Sequence, residues 1–147
     1  MKLKKISETE CADGKTGVVI VYAKPPVYDR AHEVFDLTGK NPVFAYGGKI
    51  YNPGYGGLDD SIIAHEMVHF EQQGDDVDGW WEKYFTDPAF RLSQEVEAYK
   101  VQFQVLKKTI GSRSTLALHK ARIARDLSSP MYGNLMGYTE AYRAIGQ

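Results

Sequence analysis

The sequence predicts an α+β domain built on a small mixed sheet. Three observations point there: a β-branched run near residue 20, a two-glycine hairpin signal near residue 47, and apolar residues at helical spacing from residue 59 onward. Val18-Val19-Ile20-Val21-Tyr22 is continuous and β-branched or aromatic, as in a central strand buried on both faces, and Pro25-Pro26 ends it. From about Tyr28 to Leu37 the apolar positions Ala31, Val34, Phe35 and Leu37 recur at helical spacing, which predicts a short backing helix before Thr38-Gly39-Lys40-Asn41-Pro42 stops it. Val43-Phe44-Ala45-Tyr46 and Lys49-Ile50-Tyr51 flank Gly47-Gly48, and two glycines suit the positive φ angles of a tight hairpin.

The rest reads as helix. Asn52-Pro53-Gly54-Tyr55-Gly56-Gly57 is a glycine-rich loop without the Gly-Lys-Ser/Thr of a phosphate-binding P-loop. Asp59, Asp60 or Ser61 can then cap a helix that runs through Gln73 and stops at Gly74. Trp80 to Phe85 is a short helical piece. Asp87-Pro88 opens the longest pattern, with Phe90, Leu92, Val96, Tyr99, Phe103, Leu106 and Ile110 on one stripe and Gly111 closing it. A helix from about Ser114 to Leu127 follows, and residues 139–145 are weakly helical.

Length and composition bound the function. The 147 residues, 43% of them hydrophobic, suit one compact domain over residues 17–147, preceded by a polar segment at 1–16. With 18 basic and 19 acidic residues the net charge is -1, so nucleic acid is not an expected partner. The basic stretch Lys107, Lys108, Arg113, Lys120, Arg122 and Arg125 reads as a solvated face. Cys11 is the one thiol, no apolar run approaches the ~18 residues of a membrane helix, and residues 6–10 are polar where a signal peptide needs an apolar core. A cytoplasmic protein with no membrane partner is expected.

The chemistry concentrates at His65-Glu66-Met67-Val68-His69. A chance match to this pattern in such a chain is on the order of one in a hundred. Four helical residues turn the chain about 400° and advance about 6 Å, so both imidazoles leave one face and can reach one Zn²⁺. Glu66 lies about 100° round the helix, placed to hold a zinc-bound water. Burying two histidines and a glutamate among Ile62, Ile63, Met67, Val68 and Phe70 is costly without a partner, and a metal supplies one. Candidates for a third ligand are Glu95, Asp75, Glu97 and His119. On the long helix Glu95 lies about 60° from the centre of the apolar stripe and Glu97 about 140° away, which favours Glu95.

His65-Glu66-x-x-His69 followed by Glu95-x-x-x-Tyr99 resembles the gluzincin branch of the zincin metallopeptidases, and the element order over residues 17–110 is similar to its smallest members. Gly47 to Gln73 is also similar to small zincin domains of bacteria and their phages. The resemblance implies a zinc-dependent peptidase fold in which His65, His69 and Glu95 bind the metal and Glu66 is the general base. Some gluzincins have Asn and Asp, partners of the histidines, where this chain has Gln94 and Tyr99, and either of these can orient an imidazole by hydrogen bonding.

The activity expected is metal-assisted hydrolysis of a peptide or protein substrate. Lys49-Ile50-Tyr51 is expected at a sheet edge, where an extended peptide could pair by strand addition. The oxyanion needs a donor, for which Tyr132 and Tyr138 are the candidates, with His119 behind them. The alternative is a non-catalytic, zinc-stabilised binding module with Trp80, Trp81, Tyr84 and Phe85 as anchors, although those four more simply form a hydrophobic cluster between helices.

Overall fold

A computed structural model describes residues 3–5 and 10–146. The fold is α+β, with a five-stranded mixed sheet and six helices among the described residues. The strands are β1 (Leu3–Lys5), β2 (Glu10–Asp13), β3 (Val19–Val21), β4 (Phe44–Tyr46) and β5 (Lys49–Tyr51). The helices are α1 (Tyr28–Phe35), α2 (Asp60–Gln73), α3 (Val77–Thr86), α4 (Pro88–Thr109), α5 (Arg113–Leu127) and α6 (Tyr138–Ile145), with a 3-10 turn at Pro130–Tyr132. No helix among the described residues is long and apolar enough to cross a membrane.

The sheet order is β1-β2-β3-β5-β4, which puts the β-branched β3 at its centre. β3 and β5 run parallel with Ile20 opposite Ile50, and both side chains are fully buried. The remaining pairs are antiparallel. Gly47 and Gly48 have φ of +59° and +79°, the left-handed conformations that a two-residue hairpin turn between β4 and β5 demands.

Two sequence expectations change here. Residues 49–51 are not an edge: β5 lies between β3 and β4, so the free edge on that side is β4. The parallel pairing to β3 takes one flank of β5 and the hairpin takes the other. The polar segment expected over 1–16 supplies strands β1 and β2. Their turn into β3 is closed by Asp13, which is buried and accepts the N–H groups of Lys15 at 3.2 Å and Thr16 at 3.1 Å together with the Thr16 hydroxyl. Three residues of β pairing per strand leave little periodicity to read from a polar sequence.

Apolar burial divides into three clusters. Ile20 and Ile50 pack the sheet onto Leu58 and Ile63 of the α2 region. Trp80, Trp81, Tyr84 and Phe85 of α3 are all buried against α1 and β4, so they are core rather than surface anchors. Phe103 and Leu106 of α4 join Ile123, Ala124 and Leu127 of α5, Ile145 of α6 and Tyr132 in the third. α2 packs along α4 between these clusters, and the chemistry-bearing side chains face each other there.

Candidate metal centre

Local rules place α2. The Asp59 carboxylate accepts the Ile62 N–H at 3.0 Å, and Gly74 ends the helix at φ +51° with its N–H on the Phe70 carbonyl. The i, i+4 series Ser61, His65, His69 and Gln73 is buried on one face, with Glu66 beside it. α4 starts at Asp87, whose carboxylate caps the Phe90 N–H at 3.1 Å, and its buried line holds Arg91, Glu95, Ala98, Phe103 and Leu106. Arg91 donates to the carbonyls of Met131 at 2.8 and 2.6 Å and of Tyr84 at 2.5 Å, tying the 3-10 turn to α3.

Glu95 sits at the meeting point. Its Oε1 is 3.0 Å from Nε2 of His65 and 3.0 Å from Nε2 of His69, and its Oε2 accepts the Tyr84 hydroxyl at 2.5 Å. Burial works against the Glu95 charge, but His69, His65 and their hydrogen bonds hold its carboxyl well below the usual carboxylate range. Burial likewise opposes a charge on His69, and the adjacent Glu95 carboxylate overcomes it, raising His69 to about 9. Burial pushes the Glu66 carboxyl above its ordinary value.

The partners of the histidines differ from those expected. Gln94 touches neither ring: its side chain accepts the Trp80 indole N–H at 2.8 Å. The residue beside His69 is Gln72, whose Oε1 is 2.7 Å from Nδ1 while its Nε2 donates to the Gln94 carbonyl at 3.0 Å. That second bond fixes the amide, so Oε1 faces the imidazole, Nδ1 carries the proton and Nε2 is left to point at Glu95. Gln72 stands three residues after His69, a spacing that already puts them on one helix face. Tyr99 packs edge-on against His65 with ring centres 4.6 Å apart, but its hydroxyl donates to Asp126 Oδ2 at 2.5 Å. Asp126 left no mark in the sequence pattern and Tyr84 stood out only as a member of the aromatic cluster, because each reaches this site from a separate helix.

The other candidates fall elsewhere. Asp75 and Glu97 are exposed, and His119 on α5 lines neighbouring cavities. Tyr138 is 44% exposed. Tyr132 is 2% exposed and lines the same cavity as Glu66, its hydroxyl a long 3.5 Å from Asp126.

The donor set suits a divalent cation. The ligand atoms of His65, His69 and Glu95 lie within 4.8 Å of one another. A tetrahedral zinc with ~2.0–2.1 Å bonds needs its ligand atoms about 3.4 Å apart, and the two nitrogen-to-oxygen separations are 3.0 Å. Glu66 Oε2 is buried without a hydrogen-bond partner among the described residues, as is Nδ1 of His65. An unsatisfied carboxylate oxygen inside a cavity of about 390 Å³ is a group awaiting a polar guest.

Two outcomes are expected of the metal-free protein. The rise of His69 from 6.5 to about 9 makes its contribution to stability complete below pH 6.5 and lost as the pH climbs through 9. The loss is on the order of 3 kcal/mol. Ionisation of Glu66, whose carboxyl is raised, weakens the fold in the same direction from pH 4.5 upward. Urea unfolding in chelator at pH 6.5 and again above pH 9 measures this, and equal stabilities contradict it. Tyr84→Phe removes a donor from the Glu95 carboxylate and is expected to cost about 1.5–3 kcal/mol in the same measurement.

Comparison of the chain with family models, with curated proteins and with solved structures found no match.

Proposed function

We propose that this chain is a zinc metallopeptidase of the gluzincin type, with His65, His69 and Glu95 as ligands. The observation behind this reading is the convergence of both Nε2 atoms on Glu95 Oε1 in a cavity where Glu66 Oε2 has no partner among the described residues. A structural zinc is enclosed by four protein ligands, whereas three converging donors and a free carboxylate beside them fit a catalytic site with an open position. Zinc, when bound, lowers the pKa of water toward ~7 and polarises a carbonyl.

The chain's own residues do the rest. Glu66 takes a proton from water in the cleft and returns it to the leaving amine, and its burial lifts its affinity for that proton toward the working pH. The Tyr132 hydroxyl, held only at 3.5 Å by Asp126, is free to turn and donate to the oxygen that gains charge. Gln72 keeps His69 in the tautomer whose Nε2 can ligate. A peptide adding to the sheet would meet β4 rather than β5. There the Ala45 carbonyl already accepts the Gln73 amide at 2.6 Å and the Trp81 indole at 3.0 Å, so the edge offers only part of its ladder.

Metal analysis together with cleavage of reduced, carboxymethylated insulin B chain tests the reading. One zinc per chain and cleavage stopped by chelator are expected, and a zinc-loaded protein that leaves the peptide intact overturns it.

A further inference from the structure

The chemistry proposed above leaves two polar groups of the Glu66 cavity without a role: Asp126, in the last turn of α5, and the Tyr99 hydroxyl on α4. They are joined to each other, with Tyr99 Oη donating to Asp126 Oδ2 at 2.5 Å. The same carboxylate oxygen faces the Tyr132 hydroxyl at 3.5 Å. Burial raises both tyrosine hydroxyls well above their ordinary value, so each keeps its proton and comes to Asp126 as a donor. Two donors thus compete for one oxygen, and Tyr99 holds it.

The separations decide that competition. A hydroxyl bonded to a carboxylate sits about 2.5–2.7 Å from it, and at 3.5 Å little of the attraction remains. The backbone under Tyr132 cannot carry it elsewhere. The Met131 carbonyl takes two N–H groups of Arg91, the Tyr132 N–H bonds the Ser129 carbonyl at 3.1 Å, and a Cβ at Gly133 would come within 3.0 Å of Pro88. The turn is pinned to the start of α4, and the ring it carries is 2% exposed. Its hydroxyl therefore has two destinations, Asp126 or the cavity beside Glu66.

We propose that Tyr99 is a positioning residue: by occupying Asp126 Oδ2 it keeps the Tyr132 hydroxyl uncommitted, and so available to the oxygen that gains charge. This rests on the peptidase reading and on Tyr132 as its donor. A Tyr132 hydroxyl bonded to Asp126 at rest would have to leave that bond to serve the transition state. Giving up one hydrogen bond to a charged group there slows the step about ten- to hundredfold. The Tyr99 ring has a separate task, packing edge-on against His65 with centres 4.6 Å apart, and a phenylalanine keeps it.

Tyr99→Phe is accordingly expected to lower kcat on reduced, carboxymethylated insulin B chain by about tenfold or more, with KM and zinc content as in wild type. Adding Asp126→Leu to that variant removes the acceptor after its Tyr99 partner has already gone, and is expected to bring kcat back to within about threefold of wild type. A purely structural role for the Tyr99–Asp126 bond gives the opposite order, with the double variant no faster than the single one. That order overturns the proposal, as does an unchanged kcat in Tyr99→Phe. A crystal structure of Tyr99→Phe separates this outcome from the fate of the peptidase reading. The Tyr132 hydroxyl is expected within about 2.8 Å of Asp126 Oδ2, and a separation that stays at 3.5 Å overturns the proposal. A protein that cuts nothing yet shows the shortened bond sinks the peptidase reading and keeps the competition for Asp126.

Discussion

Glu66→Gln is expected to lower kcat for peptide hydrolysis by about 10²–10⁴-fold while zinc stays bound, because the change removes the proposed proton acceptor and none of the three converging donors that could hold a metal. The amide matches the carboxylate in volume, so packing around this buried position is preserved. Stability moves the opposite way from activity. Burial already raises the Glu66 carboxyl, which means that its ionised form weakens the fold at neutral pH, and the neutral amide avoids that cost. The expected result is therefore an inactive protein that melts at or above the wild-type temperature with one zinc per chain. Unchanged hydrolysis, or loss of zinc with loss of activity, would remove Glu66 from its proposed role.

Glu95→Ala should do the reverse, damaging the fold and the proposed metal site together. The carboxylate is the shared partner of His65, His69 and Tyr84, so its removal strands three buried polar groups. Removing one member of a buried pair costs about 3–5 kcal/mol, read here by urea unfolding of the chelated protein. Zinc affinity, measured by competition with a chelating dye, is expected to fall by more than the roughly 10–100-fold typical of an outer hydrogen-bond partner. Asp75→Ala and Glu97→Ala serve as controls, since both residues are exposed and neither should change either quantity. A Glu95→Ala protein that binds zinc like wild type would place the third ligand elsewhere.

Much of this arrangement was legible before any tertiary contact was known. The 100° step of a helix separates Glu95 from Glu97 and puts His65 and His69 on one face, and the buried or exposed state of all four residues follows that arithmetic. Capping residues likewise located α2 and α4 to within a residue or two. The stripe on α4 was less accurate: its buried line includes the polar Arg91 and Glu95, while Leu92, Tyr99 and Ile110 are half-buried. Hydrophobicity alone ranks a buried arginine last, and only its carbonyl partners on α3 and at Met131 explain it.

By itself the sequence determined the helical faces, the hairpin turn and the two histidines with their neighbouring acid, because each depends on residues within one or two turns of one another. Tertiary structure decided which strand lies at the edge, that Gln72 rather than Gln94 steadies His69, and that Tyr84 reaches Glu95. Those outcomes depend on how separate elements close on each other. Backbone periodicity is a local property, whereas the partner of a buried polar group is chosen by whichever helix or strand packing brings within 3 Å.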